Sequence, residues 1–201
     1  IMNLLALPAE KVRVVSKMVG GAFGGKEDTV IQHHAALLAY ITKKPVKITF
    51  SRQESIHVHP KRHAMELELT TGCDEQGVIT AVVARIVADT GAYASLGPPV
   101  LKRACTHIGG PYHVPHADIT GLCVYTNNPP AGAFRGFGVP QAAFACEGNL
   151  DILAEKVGIS PWEIRYRNAL EPGKINATGQ IADEGTAIKE TLEAVRAVCE
   201  A

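Results

Sequence analysis

Residues 19–28, VGGAFGGKED, carry the most pointed chemistry in the chain. From Gly20 the stretch nearly matches a phosphate-binding loop, with Gly25 and Lys26 in place. Such a loop needs Ser or Thr after the lysine, because that hydroxyl holds Mg2+. Glu27 stands there instead, and its charge would repel a triphosphate. What remains is a loop with glycine at 20, 21, 24 and 25, whose amides a ligand can approach without meeting a Cβ. A helix expected to begin at Asp28 would add its dipole and free N–H groups, favouring an anionic or electron-rich ligand. The same glycines also suit a tight packed turn, and spacing alone leaves both readings open.

A second loop of the same kind lies far downstream, residues 131–141, AGAFRGFGVPQ. It again joins Gly and Phe ahead of a helix start, and it adds Arg135. Phe137 sits between Gly136 and Gly138, a soft setting for a core residue and a good one for a platform under a planar ligand. Arg135 offers a rigid fork of donors to an anion or an oxo group, or caps nearby carbonyls at the surface. Two such loops in one domain suggest a shared pocket.

Other reactive residue types carry less. His57, His59 and His63 would line one side of a strand, but Pro60 interrupts them and no carboxylate or cysteine accompanies them, so they read as solvated or capping side chains. His33 and His34 are adjacent and would face apart on a helix. The five cysteines show no CxxC pair, are odd in number and widely spaced. They read as reduced apolar fillers in a cytoplasmic protein, with Cys105 and Cys146 not placed as nucleophiles. Asp89 reads as a backbone-bonding carboxylate at a strand end.

The elements that must position these residues follow from periodicity. Leu4–Leu7, closed by Pro8, reads as the end of a helix, and Glu10–Val15 as a strand leading into the first glycine loop. Apolar spacing then predicts a helix over 28–43, stopped by Lys43-Lys44-Pro45. Lys47–Phe50 alternates as a strand, and so does Met65–Thr70. Asp74–Gly77 reads as a hairpin turn with a return strand over Val78–Ala88, whose Val82–Ile86 is too apolar to be one-sided. Ile119–Tyr125 is a further strand. From Pro140, Ala143, Cys146, Leu150, Leu153 and Val157 predict a long helix ended by Gly158. Ser160-Pro161-Trp162-Glu163 reads as a capping box with an Ile159/Ile164 staple, and Ile188, Leu192, Val195 and Cys199 predict a last helix. The expected class is α+β, a mixed sheet covered by helices with a helical C-terminal third.

Bulk properties narrow the function classes. The 46% hydrophobic and 20% charged composition rules out global disorder. A formal net charge of zero gives no general attraction to nucleic acid, and no apolar run reaches the ~20 residues of a membrane span.

The two glycine motifs together resemble the molybdenum-cofactor subunit of the xanthine dehydrogenase and aldehyde oxidase family of molybdenum hydroxylases. The stretches KKPVKITFSRQE, ADTGAYASLGP, KRACTHIGGPYHVPHADITG and LAEKVGISPWEIRYRNAL are similar too, so the resemblance covers roughly residues 10 to 170. It implies that residues 1–201 are part of the first molybdopterin-binding domain of a large subunit. It also implies a molybdopterin cofactor whose Mo centre carries oxo, hydroxo and sulfido ligands. The expected reaction hydroxylates a purine-like N-heterocycle with oxygen from water; an aldehyde or nicotinate-type substrate is the alternative. Electrons would pass through two [2Fe–2S] clusters to FAD on partner domains or subunits, in an oligomeric full enzyme. Cofactor chemistry of this kind leaves the protein to bind and orient.

By the same resemblance, Phe23 and Gly24 match the loop that touches the Mo centre, with the Gly24 or Gly25 amide near an oxo ligand. Arg135 matches an arginine bordering the cofactor, and Phe137 the aromatic that stacks on substrate. Glu27 matches a carboxylate that bonds a purine ring nitrogen, and Arg103 an arginine that polarises a purine carbonyl; these two carry the catalytic and substrate assignment. The family's base glutamate and several pterin-contacting loops have no counterpart here. The expectation is therefore about a quarter of a catalytic subunit, unable to turn over substrate alone.

Overall fold

The computed structural model describes residues 1–199 of the 201. A short helix α1 (Met2–Leu5) ends at Ala6 in left-handed backbone, followed by a 3-10 turn at Ala9–Lys11. The expected strand over Glu10–Val15 does not form: beyond the turn the chain is irregular to the first glycine loop. Val14 is 77% exposed and Met18 fully so, and no strand among the described residues pairs with them. Alternating apolar residues make a strand only where a sheet edge receives them.

Helix α2 (Gln32–Thr42) starts four residues later than the spacing suggested. Gln32 explains the start, because its Oε1 accepts from the Val30 and Ile31 amides at 2.9 and 3.1 Å. The helix ends at Lys43 in left-handed backbone, with its ammonium over the Tyr40 ring. Lys47–Phe50 is irregular rather than a strand. Helix α3 (Arg52–Val58) falls where the histidine spacing pointed to a strand. Its start is a complete capping box, Ser51 with Glu54, a signal the histidine pattern obscured.

The centre is a three-stranded sheet in the order β1-β2-β3. Strands β1 (Met65–Cys73) and β2 (Ile79–Asp89) form an antiparallel hairpin, pairing Met65 with Ala88 and Leu69 with Ala84. The turn holds because Asp74 Oδ1 accepts from the Gln76 and Val78 amides. From β2 the chain crosses through α4 (Gly97–His107) to β3 (Ala117–Val124), which runs parallel to β2. The sequence pattern did not predict α4, because Gly97-Pro98-Pro99 looks like a breaker; prolines in a first helical turn lose nothing the helix needs.

Strand β2 alternates after all. Val82, Ala84, Ile86 and Ala88 face inward and are buried, while Val83 is 52% exposed. Helices α4 and α5 (Val139–Val157) cover the inner face. Ala142, Cys146, Leu150 and Ala154 repeat every four residues along α5 and meet Ile79, Val82 and Ile86 in two adjoining core clusters. Burying a side chain such as Ile86 is worth about 2 kcal/mol. Gly158 ends α5 in left-handed backbone, as expected.

Helix α6 (Pro161–Asn168) begins with half of the predicted capping box. Ser160 Oγ accepts from the Glu163 amide, but the Glu163 carboxylate turns to Arg167 Nε at 2.6 Å. A full ion pair within the helix outcompetes the return bond to the cap. Asn168 ties α6 to the hairpin, accepting from Ile79 N and donating to Gly77 O and Ile164 O. The last helix α7 (Ile188–Cys199) docks on α6 through Trp162 Nε1, which donates to Leu192 O. The result is the expected α+β class, with 1–60 mostly loop and short helix around a sheet-and-helix body.

Candidate functional site

The two glycine loops meet. A Cβ on Gly24, at φ 90°, would stand 2.7 Å from the carbonyl carbon and oxygen of Ala133 and 2.9 Å from the Phe134 amide. Only glycine lets these backbones pass so closely. Arg135 lies over the Phe23 ring, 5.8 Å from its centroid. Phe23 and Phe137 both hold left-handed backbone, at φ 51° and 50°. For a bulky residue this is strain, and strain of this kind gathers at ligand clamps.

The second loop continues onto α4. A Cβ on Gly138, at φ 96°, would lie 2.3 Å from Val100 O and 3.1 Å from the Ala104 amide. Arg103 therefore sits on the turn of α4 against which that loop packs, with its side chain exposed. Glu27 is exposed on the first loop, and Phe137 is half-buried. Loop-to-loop contact thus brings Phe23 and Gly24 against residues 133–135, and loop-to-helix contact sets Gly138, the neighbour of Phe137, on the turn of α4 that carries Arg103. No hydrogen bond or ion pair among the described residues joins Glu27 to Arg103.

Two cavities flank this surface. One of about 930 Å3 borders the first loop at Asp28–Val30 and runs along Leu4, Val14, Val58, Tyr93 and Pro130. Another of about 550 Å3 lies past the second loop, between Thr106, His107, Val139, Ala143 and Gln180. Neither is lined by Phe23, Glu27, Arg103 or Phe137. The shared hollow expected from the two motifs is thus an open surface where the loops join.

The surface favours an anionic ligand. The Arg135 guanidinium has no hydrogen bond or ion pair among the described residues, only the Phe23 ring. The Gly24 amide is likewise free among the described residues, whereas the Gly25 amide is taken by Ala22 O at 2.8 Å. Gly24, not Gly25, is the available donor of the pair. The helix-dipole contribution is weaker than the sequence implied, because α2 begins at Gln32 rather than at Asp28, farther from the glycine loop.

Sequence reasoning read His63 as solvated or capping and gave no role in the site to residues 60–64, which form the ledge under the second loop. The Gly132 amide donates to Lys61 O, and Arg62 Nη2 donates to Arg135 O at 2.7 Å. The Arg62 guanidinium also lies over the Phe134 ring at 4.6 Å. Gln141 on α5 donates to His63 O. His63 itself is buried, 2% exposed, rather than solvated, and neither ring nitrogen has a hydrogen-bond partner. The signal was the Lys-Arg-His run next to a proline, which reads as surface until the loop 70 residues on is laid across it.

Among the described residues no cluster of His, Cys, Asp and Glu could hold a metal ion, and no helix is long and apolar enough to cross a membrane. All five cysteines are free. Burial pushes the Cys105 thiol up and Cys146 up to about 12, so neither is an ionised nucleophile. Asp89 holds the strand end as expected, accepting from the Gly91 amide, Thr126 and Asn128, and these bonds keep its carboxyl below the usual range.

Known proteins resemble this chain over most of its length. A family model described as "Molybdopterin cofactor-binding domain" matches residues 1–169. The nicotinate dehydrogenase large molybdopterin subunit of Eubacterium barkeri is 48% identical over 98% of this chain and 46% of its own length. A probable xanthine dehydrogenase subunit of Bacillus subtilis is 47% identical over 85% of this chain and 23% of its own. Among solved structures, the aldehyde oxidoreductase of Desulfovibrio gigas superposes with a TM-score of 0.84 at 33% identity, over 89% of this chain and 20% of that one. The chain thus spans less than half the length of these relatives.

Proposed function

This chain belongs to the molybdopterin cofactor-binding domain family, and from that premise we propose that it forms part of the catalytic subunit of a molybdenum hydroxylase. Residues 1–201 would be part of the first cofactor-binding domain of that subunit. The observation that carries the reading is the junction of the two glycine loops, with Gly24 against Ala133 and Arg135 over Phe23. A molybdopterin cofactor is anionic and electron-rich, and an unpaired guanidinium beside a free glycine amide is a donor set that fits it. When bound, the cofactor supplies redox and oxygen-transfer chemistry that no side chain here possesses.

The residues of this chain would then bind and orient. Phe23 and Gly24 form one wall and Arg135 the charged floor between the loops. Phe137 offers a face for a planar ring. Glu27 accepts from a ring N–H, or when protonated donates to a ring nitrogen. Arg103 donates to an exocyclic oxygen on which negative charge grows as the ring carbon is oxidised. Glu27 and Arg103 are exposed in this chain, so they would close on a substrate in the company of other segments of the subunit. Those segments, with [2Fe–2S] and FAD domains or subunits, would be its partners.

The substrate we favour is a purine-like N-heterocycle. The 48% identity to a nicotinate dehydrogenase subunit favours a second reading, a pyridine carboxylate. In the assembled enzyme, Glu27→Ala and Arg103→Ala should each lower purine turnover roughly 100-fold while Mo content stays near wild type, the scale seen when one transition-state donor is removed. Unchanged purine rates in both variants would end the purine reading. A substrate panel in which nicotinate alone is turned over would establish the second.

A further inference from the structure

His63 occupies the point where four parts of the molecule converge. The Gln141 side chain of α5 donates to its carbonyl, and the next residue, Ala64, receives the amide of Asp89 at the end of β2. Two residues earlier, Lys61 receives the amide of Gly132 from the second glycine loop. Asp28, at the end of the first loop, reaches the same place: a Cβ on Gly132 would stand 2.5 Å from Asp28 Oδ2. In this crowded junction the imidazole is 2% exposed and both its nitrogens are without a hydrogen-bond partner. A buried polar ring left unsatisfied is uncommon and destabilising. Leucine would fill the space without that cost, so the titratable ring calls for an explanation.

We propose that His63 is a positioning residue: its uncharged ring seats the second glycine loop against the first, and a proton on that ring unseats it. The groups that face it make this specific. Asp89 and Asp28 both attract a charged ring, and the Gly132 carbonyl is near it without closing a bond of normal geometry. Both carboxylates are already engaged. Asp89 takes the Gly91 amide and Thr126 at 2.7 Å each and Asn128 at 2.6 Å. Asp28 takes Ser95 Oγ at 2.7 Å. On its own segment, Lys61 turns to His59 O and Arg62 to Arg135 O. Gln141, the contact from α5, is uncharged. An imidazolium here would gain a partner only by drawing Asp28 from Ser95, Asp89 from the strand end, or the carbonyl of Gly132, whose neighbour Ala133 packs on Gly24. Each of these moves disturbs the junction of the two loops.

The sign follows from burial. Desolvation pulls the His63 pKa down, against the opposing pull of Asp89, the Gly132 carbonyl and Asp28. A folded pKa below the unfolded one means that the seat is intact above the ordinary imidazole value of about 6.5 and weakens as pH falls below it. The proposed switch lies in the seat of the loop and stands whether or not Glu27 and Arg103 hold substrate.

The test is hydrogen–deuterium exchange on the holoenzyme, following peptides that span residues 132–138 and correcting for the intrinsic pH dependence of exchange. Protection of this loop should fall several-fold as the pH drops from 7.5 to 5.5, with the loss still growing at the acid end. In His63→Leu, and in His63→Gln should the leucine variant fold poorly, protection should be flat across that range, because neither side chain titrates. Ring NMR of labelled histidine gives the second readout, with His63 titrating below the ordinary value. A parallel fall in protection in wild type and both variants would overturn the proposal. So would a His63 ring that titrates at or above the value of a free imidazole.

Discussion

The first glycine loop, residues 20–28, and the second, residues 131–138, each place a phenylalanine in left-handed backbone, yet they are anchored very differently. The second is held along its length: Ala131 N by Thr90 O, Gly132 N by Lys61 O, Arg135 O by Arg62, and Gly138 by direct packing on α4. The first has a short internal turn, Gly25 N to Ala22 O, and few outside ties: Asp28 to Ser95, Gly24 against Ala133 and the Phe23 ring under Arg135. Phe23 is 69% exposed, while Phe137 is half-buried. One loop is therefore part of the body of the domain and the other leans on it. Similar motifs do not confer similar rigidity; the number of backbone groups tied to the core does.

Three substitutions would break or sharpen this contrast. The largest effect is expected from Gly138→Ala. The new Cβ would meet Val100 O at 2.3 Å in a backbone region that L-residues avoid. We expect a loss of about 3 kcal/mol or more in a denaturant titration, since neither the loop nor α4 can retreat. Gly24→Ala faces a similar clash with Ala133, but the first loop can lift away. Its stability loss should be about 1–2 kcal/mol, with the main effect a fall in cofactor content read by metal analysis. A Gly24→Ala variant less stable than Gly138→Ala would reverse the ranking of the loops. The smallest change is Arg62→Ala, which removes the bond to Arg135 O and the contact with Phe134. It should cost about 1 kcal/mol and raise exchange in residues 132–138 while leaving 20–28 unchanged. Equal loosening of both loops would show that they move as one unit.

The legible parts of the sequence share a physical character. The hairpin β1–β2, the long helix α5 and its Gly158 stop, and helix α7 each rest on a repeat completed within a few residues, so local pattern and final structure agree. The illegible parts needed a distant partner. Glu10–Val15 has the alternation of a strand and no sheet edge to join. Helix α4 hid behind Pro98-Pro99, and α2 starts where Gln32 can cap it rather than where the apolar spacing begins. His63 reads as a surface residue in its own neighbourhood, and burial comes from chain segments 25 to 80 positions away.

By itself, the sequence determined the family and named the residues of a candidate site, because two glycine motifs with their phenylalanines and Arg135 are written in contiguous letters. It also determined the α+β class, since helical and strand periodicities are local. The tertiary structure alone decided that the loops touch at Gly24 and Ala133, that Gly24 rather than Gly25 keeps a free amide, and that Arg62 and His63 form the seat beneath them. Local patterns record what one segment prefers, whereas contacts across a hundred residues exist only once the sheet and its covering helices have fixed where each loop must lie.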